Sequence, residues 1–254
     1  MHAADLAPAR HLLRPRRVVV PHLAEAEALI DHLMLPGAGA NLYKEPDEPN
    51  IVTWGVPGEP ATWSNQSQCA SFVTAVLRRA YPAWARTRYF VRHLGSPSPF
   101  ARDYQRVFAE GGTRRLTPVR RVADLRPGDL IAIDYANAQD TNTGHVVMVR
   151  RMRGVYVAPN PRLNFDGEIQ YAIQVADCTA EPHGLAGVGN YEDFPDTRIA
   201  GDEQYQGVGY GHMMFYASEL TGEFTRYRWS VNSSSTGAFS VRDRPVSAAR
   251  ITAG

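Results

Sequence analysis

Cys69 stands at the start of a stretch, residues 65–80, that reads NQSQCASFVTAVLRRA. Phe72, Val73, Val76, Leu77 and Ala80 recur at the three-and-four spacing of one helical face, with Arg78 and Arg79 on the other. Asn65 or Ser67 is placed to cap this helix, which puts Cys69 in its first turn. Unpaired backbone N–H groups and the helix dipole favour a thiolate there. Free cysteine ionises near pH ~8.5, and a helix start beside a histidine lowers that by about one to several units. Such a thiolate attacks acyl carbons. The competing reading is a small core side chain, since cysteine is among the most often buried residues.

Acyl transfer also needs a base, a group that orients the base, and donors for the oxyanion. His145 follows Gly144 and opens the apolar run 145–149, so its ring projects at a strand entrance. Asp177 and Cys178 alternate on a strand over 169–178; if Asp177 faces His145, Cys178 faces away. His183 and Asn160 are alternative polar residues for orienting the imidazole. The backbone N–H of Cys69 and the side chain of Gln66 or Asn65 are oxyanion candidates, each donor contributing ~3 kcal/mol. His212 and Trp229 are candidates for the cleft wall. A metal site from His145, Asp177, His183 and His212 is not expected, because no pair has the close spacing of a preformed site. No cofactor is implied.

The elements that must position these groups follow from periodicity and turn residues. A helix is expected over 22–34, with His22 and His32 on its surface, then a turn-rich segment with a short strand at 51–54. After the Cys69 helix come a short continuation at 89–93 and a helix to Ala109 with Ser98 as cap and Pro99 in the first position. Strands are expected at 130–134, 145–149, 152–158 and 169–178, then a hairpin of 213–217 and 224–229. Residues 207–211 are rich in glycine but lack the G-x-G-x-x-G spacing of a phosphate loop, and residues 232–254 read as a polar tail that frays. The expected organisation is a lead-in and helix over 1–59, a core over 60–180, and an extension over 181–254 packed on the same domain.

Composition narrows the class. A chain of 254 residues with 44% hydrophobic content can bury a sizeable core, and a net charge of +1 gives no general attraction to nucleic acid or an anionic membrane. With Cys69 and Cys178 alone there is no disulfide scaffold, although a single bridge between them stays open. The basic N-terminus is followed only by Val18, Val19 and Val20 before Pro21, too short for an export signal. The expectation is a cytoplasmic chain as written, or an extracytoplasmic one if a signal has been removed.

Three segments together resemble a known family. Gln68-Cys69-Ala70-Ser71-Phe72-Val73 resembles the D-C-S-G-F-V motif of the NlpC/P60 family of papain-like cysteine peptidases. Arg126-Pro127-Gly128-Asp129-Leu130-Ile131 is similar to its P-G-D-L strand, and Gly144-His145-Val146-Val147-Met148-Val149 to its S-H-V-G-I-Y strand. Gln68 stands where that family has aspartate, and the interval from His145 to Asp177 is longer, as for an inserted hairpin. The resemblance implies an α+β papain-like fold, a helix bearing the nucleophile packed on an antiparallel sheet. It also implies Cys69 as nucleophile, His145 as base and Asp177 as third member. By implication the reaction is amide cleavage through a thioester, on peptide or peptidoglycan-fragment substrates of bacterial type. An acyltransferase or transglutaminase on the same fold, and a non-catalytic binding module, are the alternatives.

Overall fold

Apolar spacing and caps decide where helices form. The computed structural model describes residues 19–137 and 142–252; the basic lead-in at 1–18 lies outside them. Helices α1 (Pro21–Leu33), α2 (Cys69–Ala80), α3 (Thr87–Leu94) and α4 (Ala101–Ala109) alternate with strands in the first half of the chain. Phe72, Val73, Val76 and Leu77 are buried as the periodicity of α2 requires. Its N-cap is Gln68, not Asn65 or Ser67: the Gln68 N–H donates to Ser71 Oγ at 2.9 Å. Helix α4 begins after Phe100 rather than at Pro99, because Asp103 Oδ2 accepts the Phe100 N–H at 2.8 Å. His22 is buried, not on the surface; its ring bridges Gly128 O at 2.6 Å and the Tyr81 hydroxyl at 2.7 Å, tying α1 to the sheet and α2. His32 stacks on Trp63 with ring centres 3.8 Å apart.

The short strands β1 (Asn41–Tyr43), β2 (Ile51–Thr53) and β3 (Ser64–Ser67) form a small sheet with β3 in the middle, which delivers the chain into α2. The main sheet is built from β4 (Leu116–Val119), β5 (Leu130–Asp134), β6 (Gly144–Val155), β7 (Glu168–Thr179), β10 (Gly207–Ser218), β11 (Phe224–Arg228), β12 (Ala238–Ser240) and β13 (Val246–Ile251). A two-stranded ribbon, β8 (Ile199–Ala200) with β9 (Glu203–Gln204), lies outside it. The strand order is β12-β11-β10-β7-β6-β5-β13-β4, and every pair is antiparallel. The architecture is therefore α+β.

Both faces of this sheet are apolar, and alternation explains why. Leu130, Ala132, Val146, Met148, Ala176 and Cys178 face the helices, whereas Ile131, Ile133, Val147, Val149, Ile173, Val175, Met213 and Phe215 fill the opposite face. Among the described residues no α-helix covers that second face; instead a single turn at Val122–Asp124 packs on it and the sheet curls until β11 meets β13, burying it against itself. Strand β6 runs on through the segment expected as a separate strand at 152–158, bending at two bulges. The long β6–β7 ribbon is the lengthened His145-to-Asp177 interval seen in the sequence.

The C-terminal third is part of the sheet rather than an appendage. Strand β10 pairs along β7 over its whole length, and β13 lies between β5 and β4. Residues 232–252 therefore do not fray: a polar segment followed by Val246, Ala248 and Ala249 supplies a buried strand. Among the described residues no helix is long and apolar enough to cross a membrane.

Candidate functional site

The N-terminus of α2 meets the first residues of β6 at one end of the curled sheet. Cys69 is the first residue of α2, 4% exposed, and its sulfur lies 3.8 Å from Gly144 O. Gly144 has φ of +145° and a Cβ there would lie 2.0 Å from Ile133 O, so only glycine lets the strand begin this close to its neighbour. The next residue, His145, turns its ring onto the inner face. Its Nε2 is 2.7 Å from Asp177 Oδ2 on β7, and the ring lies close enough to Cys69 to feel its charge. Cys69, His145 and Asp177 are thus brought together in the order thiol, imidazole, carboxylate.

Charge decides the protonation of this row. Burial disfavours the His145 imidazolium, but the Cys69 and Asp177 charges outweigh it and push the ring up to about 9. Burial likewise opposes ionisation of Asp177, and the Arg198 guanidinium, His183 and His145 together hold it well below the usual carboxylate range. Asp177 is the hub: Oδ1 pairs with Arg198 Nη1 at 3.0 Å, and Oδ2 accepts from both His145 and His183, the latter at 2.9 Å.

His183 stands behind Asp177, not in place of it. Its Nδ1–H donates to Trp229 O at 2.8 Å while its Nε2 meets Asp177, so both ring nitrogens face pure acceptors. Arg198 grips Asp196 through Nε at 2.9 Å and Nη2 at 2.7 Å, and Asp196 Oδ2 accepts the His183 N–H at 2.8 Å. Two carboxylates, a guanidinium and an imidazole form one buried network around His145. Arg198 and Asp196 were not singled out from sequence. The readable signal was the glycine of β10: a Cβ on Gly211 would lie 2.3 Å from Asp196 Oδ2 and 2.4 Å from His183 Cδ2. The glycine-rich run makes room for this network.

Several candidates lie elsewhere. Asn160 is exposed and caps a single turn by accepting the Arg162 N–H at 3.1 Å, remote in role from the imidazole. Asn65 is buried inside β3, donating to Leu42 O at 3.0 Å and accepting from Ser67 Oγ at 2.6 Å, so it braces the small sheet rather than offering a donor to the cleft. Gln66 points to the opposite side of β3 and does not line the cleft. Gln68 does line it, with its Nε2 donating to Lys44 O at 3.1 Å. His212 is packed against Phe194, its Nδ1–H donating to Pro195 O at 2.9 Å; burial pushes it down to about 4, and it faces away from Asp177. Trp229 lies in the cleft, its ring edge-on to His145 at 4.8 Å.

Cys69 and Cys178 are both free thiols, with no bridge between them. Cys178 is on the helix-facing side of β7, as alternation requires; its thiol donates to Ser67 O at 3.1 Å, and burial pushes it up to about 12. His145, Asp177 and His183 place one donor atom each within 4.8 Å of one another, a cluster that their sequence spacing did not announce. The Arg198 guanidinium on the same carboxylate, and the commitment of both Nε2 atoms to Oδ2, suit protons better than a cation.

The cleft has two lobes that share Tyr43, Asn142 and Gly144. One, of about 170 Å³, contains Cys69, Gln68, Lys44 and Phe100. The other, of about 340 Å³, contains His145, Tyr135, Tyr227, Trp229, Phe239 and Arg244. The Cys69 thiol and the His145 ring therefore lie at the junction of a slot that runs to either side.

Comparison with known proteins adds one relative. The chain is 28% identical over 203 residues to the uncharacterized protein R653 of Acanthamoeba polyphaga mimivirus, covering 78% of this chain and 82% of the viral one. No family model matches the chain, and no solved structure matches it.

Proposed function

We propose that this chain is a cysteine acyl hydrolase, a peptidase or amidase of papain-like, NlpC/P60-like type. The observation that carries the reading is the Cys69–His145–Asp177 row at a helix start, with the imidazole favoured in its charged form. In this mechanism Cys69 Sγ attacks the amide carbonyl while its proton resides on His145. The same proton passes from His145 to the departing amine, leaving a thioester on Cys69. Water, deprotonated by His145, then attacks the thioester and releases the acid. Asp177 fixes the ring and stabilises its cation in both halves. The unpaired N–H groups at the start of α2 are the donors closest to the developing oxyanion.

The substrate class carried by the motif resemblance is a peptide amide, including peptidoglycan stem peptides. A transferase, in which an amine or alcohol replaces water, uses the same thioester. A binding module on this fold would have no reason to maintain the buried network behind His145, which stabilises an imidazolium beside a thiol. The test is to incubate the protein with a panel of wall-derived and ordinary peptides and look by mass spectrometry for an adduct on Cys69. The expected adduct is discharged by hydroxylamine, and an added amine that appears in the product identifies a transferase. A panel that leaves Cys69 unmodified and every peptide intact would count against catalysis.

A further inference from the structure

Arg244 is the cationic side chain of the lobe that contains His145, and its surroundings hold it still without neutralising it. Its guanidinium lies 3.6 Å from the ring centre of Phe239 and 4.5 Å from that of Tyr135, and its Nη1 donates to the Tyr227 hydroxyl at 3.2 Å. No carboxylate among the described residues comes within ion-pair distance of it. Half-buried arginines elsewhere on the sheet are different: Arg150 pairs with Glu27, Arg226 with Glu168 and Arg250 with Asp129. Arg228, fully buried, donates through Nη1 to the carbonyls of Val231 and Ser233 and through Nη2 to Gln170. Arg244 alone of these turns an aromatic-clamped guanidinium toward a cavity that opens onto the base.

We propose that Arg244 anchors a carboxylate of the substrate within a few bonds of the scissile carbonyl, so that the enzyme acts on acyl compounds carrying an acidic group on the side that fills this lobe. The proposal deepens the cysteine hydrolase reading and rests on it. An arginine has five N–H donors in a fork that matches a carboxylate bidentately, and the one bond to Tyr227 leaves that fork available. The aromatic rings fix the fork in advance, so a bound carboxylate loses little by ordering. Glu181, exposed on the rim of the same lobe, is the opposing charge. Its exposure screens it, so Arg244 dominates at depth.

Reactive acyl analogues separate charge recognition from thiol reactivity. The probes are N-iodoacetylglycine and N-iodoacetyl-β-alanine, each compared with its neutral carboxamide; in every case Cys69 sulfur displaces iodide. All rates are measured in the Cys178→Ala protein. The expected result is that one acid alkylates Cys69 about tenfold or more faster than its carboxamide, with saturation, and that Arg244→Gln brings the acid-to-carboxamide ratio to about one. Arg244→Lys retains part of the preference. Equal acid-to-amide ratios in the wild type and Arg244→Gln overturn the anchor. Equilibrium binding of N-benzoylglycine against N-benzoylglycinamide, by calorimetry, gives a readout that needs no thiol chemistry. Acid-selective binding lost in Arg244→Gln, with Cys69 inert to every probe, supports the anchor and refutes the hydrolase reading. Absence of acid-selective binding with Cys69 reactive refutes the anchor alone.

Discussion

Asp177→Asn is the most informative single change, because it keeps the shape of the hub and removes its charge. Asp177 accepts from two imidazoles on Oδ2 and pairs with Arg198 on Oδ1, and its side chain is fully buried. An asparagine has one oxygen to offer. With that oxygen toward the histidines, its NH2 group opposes the Arg198 guanidinium, donor against donor. With the NH2 group toward the histidines, it donates to His145 Nε2 and drives the proton onto Nδ1, the nitrogen that must accept from the thiol. Loss of one partner from a buried ion pair costs about 3–5 kcal/mol. Loss of a charge-assisted hydrogen bond to the imidazolium, about 2 kcal/mol, disfavours the His145 cation by roughly 30-fold and should slow Cys69 alkylation to match. Thermal denaturation checks the first figure, and the rate of Cys69 alkylation by iodoacetamide at pH 6.5 checks the second. In the analogous serine triad the same substitution costs about 10⁴ in turnover through the wrong tautomer, so turnover should fall further than alkylation. A folded Asp177→Asn protein whose alkylation rate stays within about threefold of wild type would refute the assignment of Asp177 as the group that sustains the base.

The His145 cation is favoured in the folded chain up to about 9 against an ordinary 6.5, so its contribution to stability is complete below pH 6.5 and is lost as pH rises through 9. Urea titrations should show a decline over that window that flattens in His145→Ala. The depressed Asp177 acts in the opposite direction, with stability lost only as pH falls below the ordinary carboxylate value of 3.8. Cys178, held up to about 12 by burial, should remain unalkylated at pH 8 in the native protein and react only in denaturant, as peptide mapping will show. Gly211→Ala forces a methyl against His183 and Asp196 and should cost about 1–3 kcal/mol in unfolding free energy, with a matching drop in Cys69 reactivity.

Much of the α+β framework was legible because its cause is local. The apolar face of α2 and the alternation along β7 each follow from a short stretch, so Cys69 at a helix start and Cys178 turned from Asp177 were readable. What escaped depended on distant partners. Asn65 and Ser67 resembled helix caps because their types suit the role, yet both are engaged in β3, and the cap passed to Gln68. His22 carries no sign in its own helix that Gly128, far along the chain, will bury it. The polar tail concealed β13 because Val246–Ile251 acquires meaning only between β4 and β5. The network behind His145 was hidden for the same reason. Arg198 and Asp196 are in an irregular segment without periodicity, and only the small residues of β10 marked the space they fill.

The most direct test of the account is the pH dependence of Cys69 alkylation by iodoacetamide in the Cys178→Ala protein, with and without His145→Ala. An ion pair between Cys69 and His145 predicts rapid reaction well below pH 8, with the rate of the His145→Ala protein rising only as an ordinary thiol ionises, near pH ~8.5. Identical profiles in the two proteins would contradict it and leave Cys69 a buried side chain of the core.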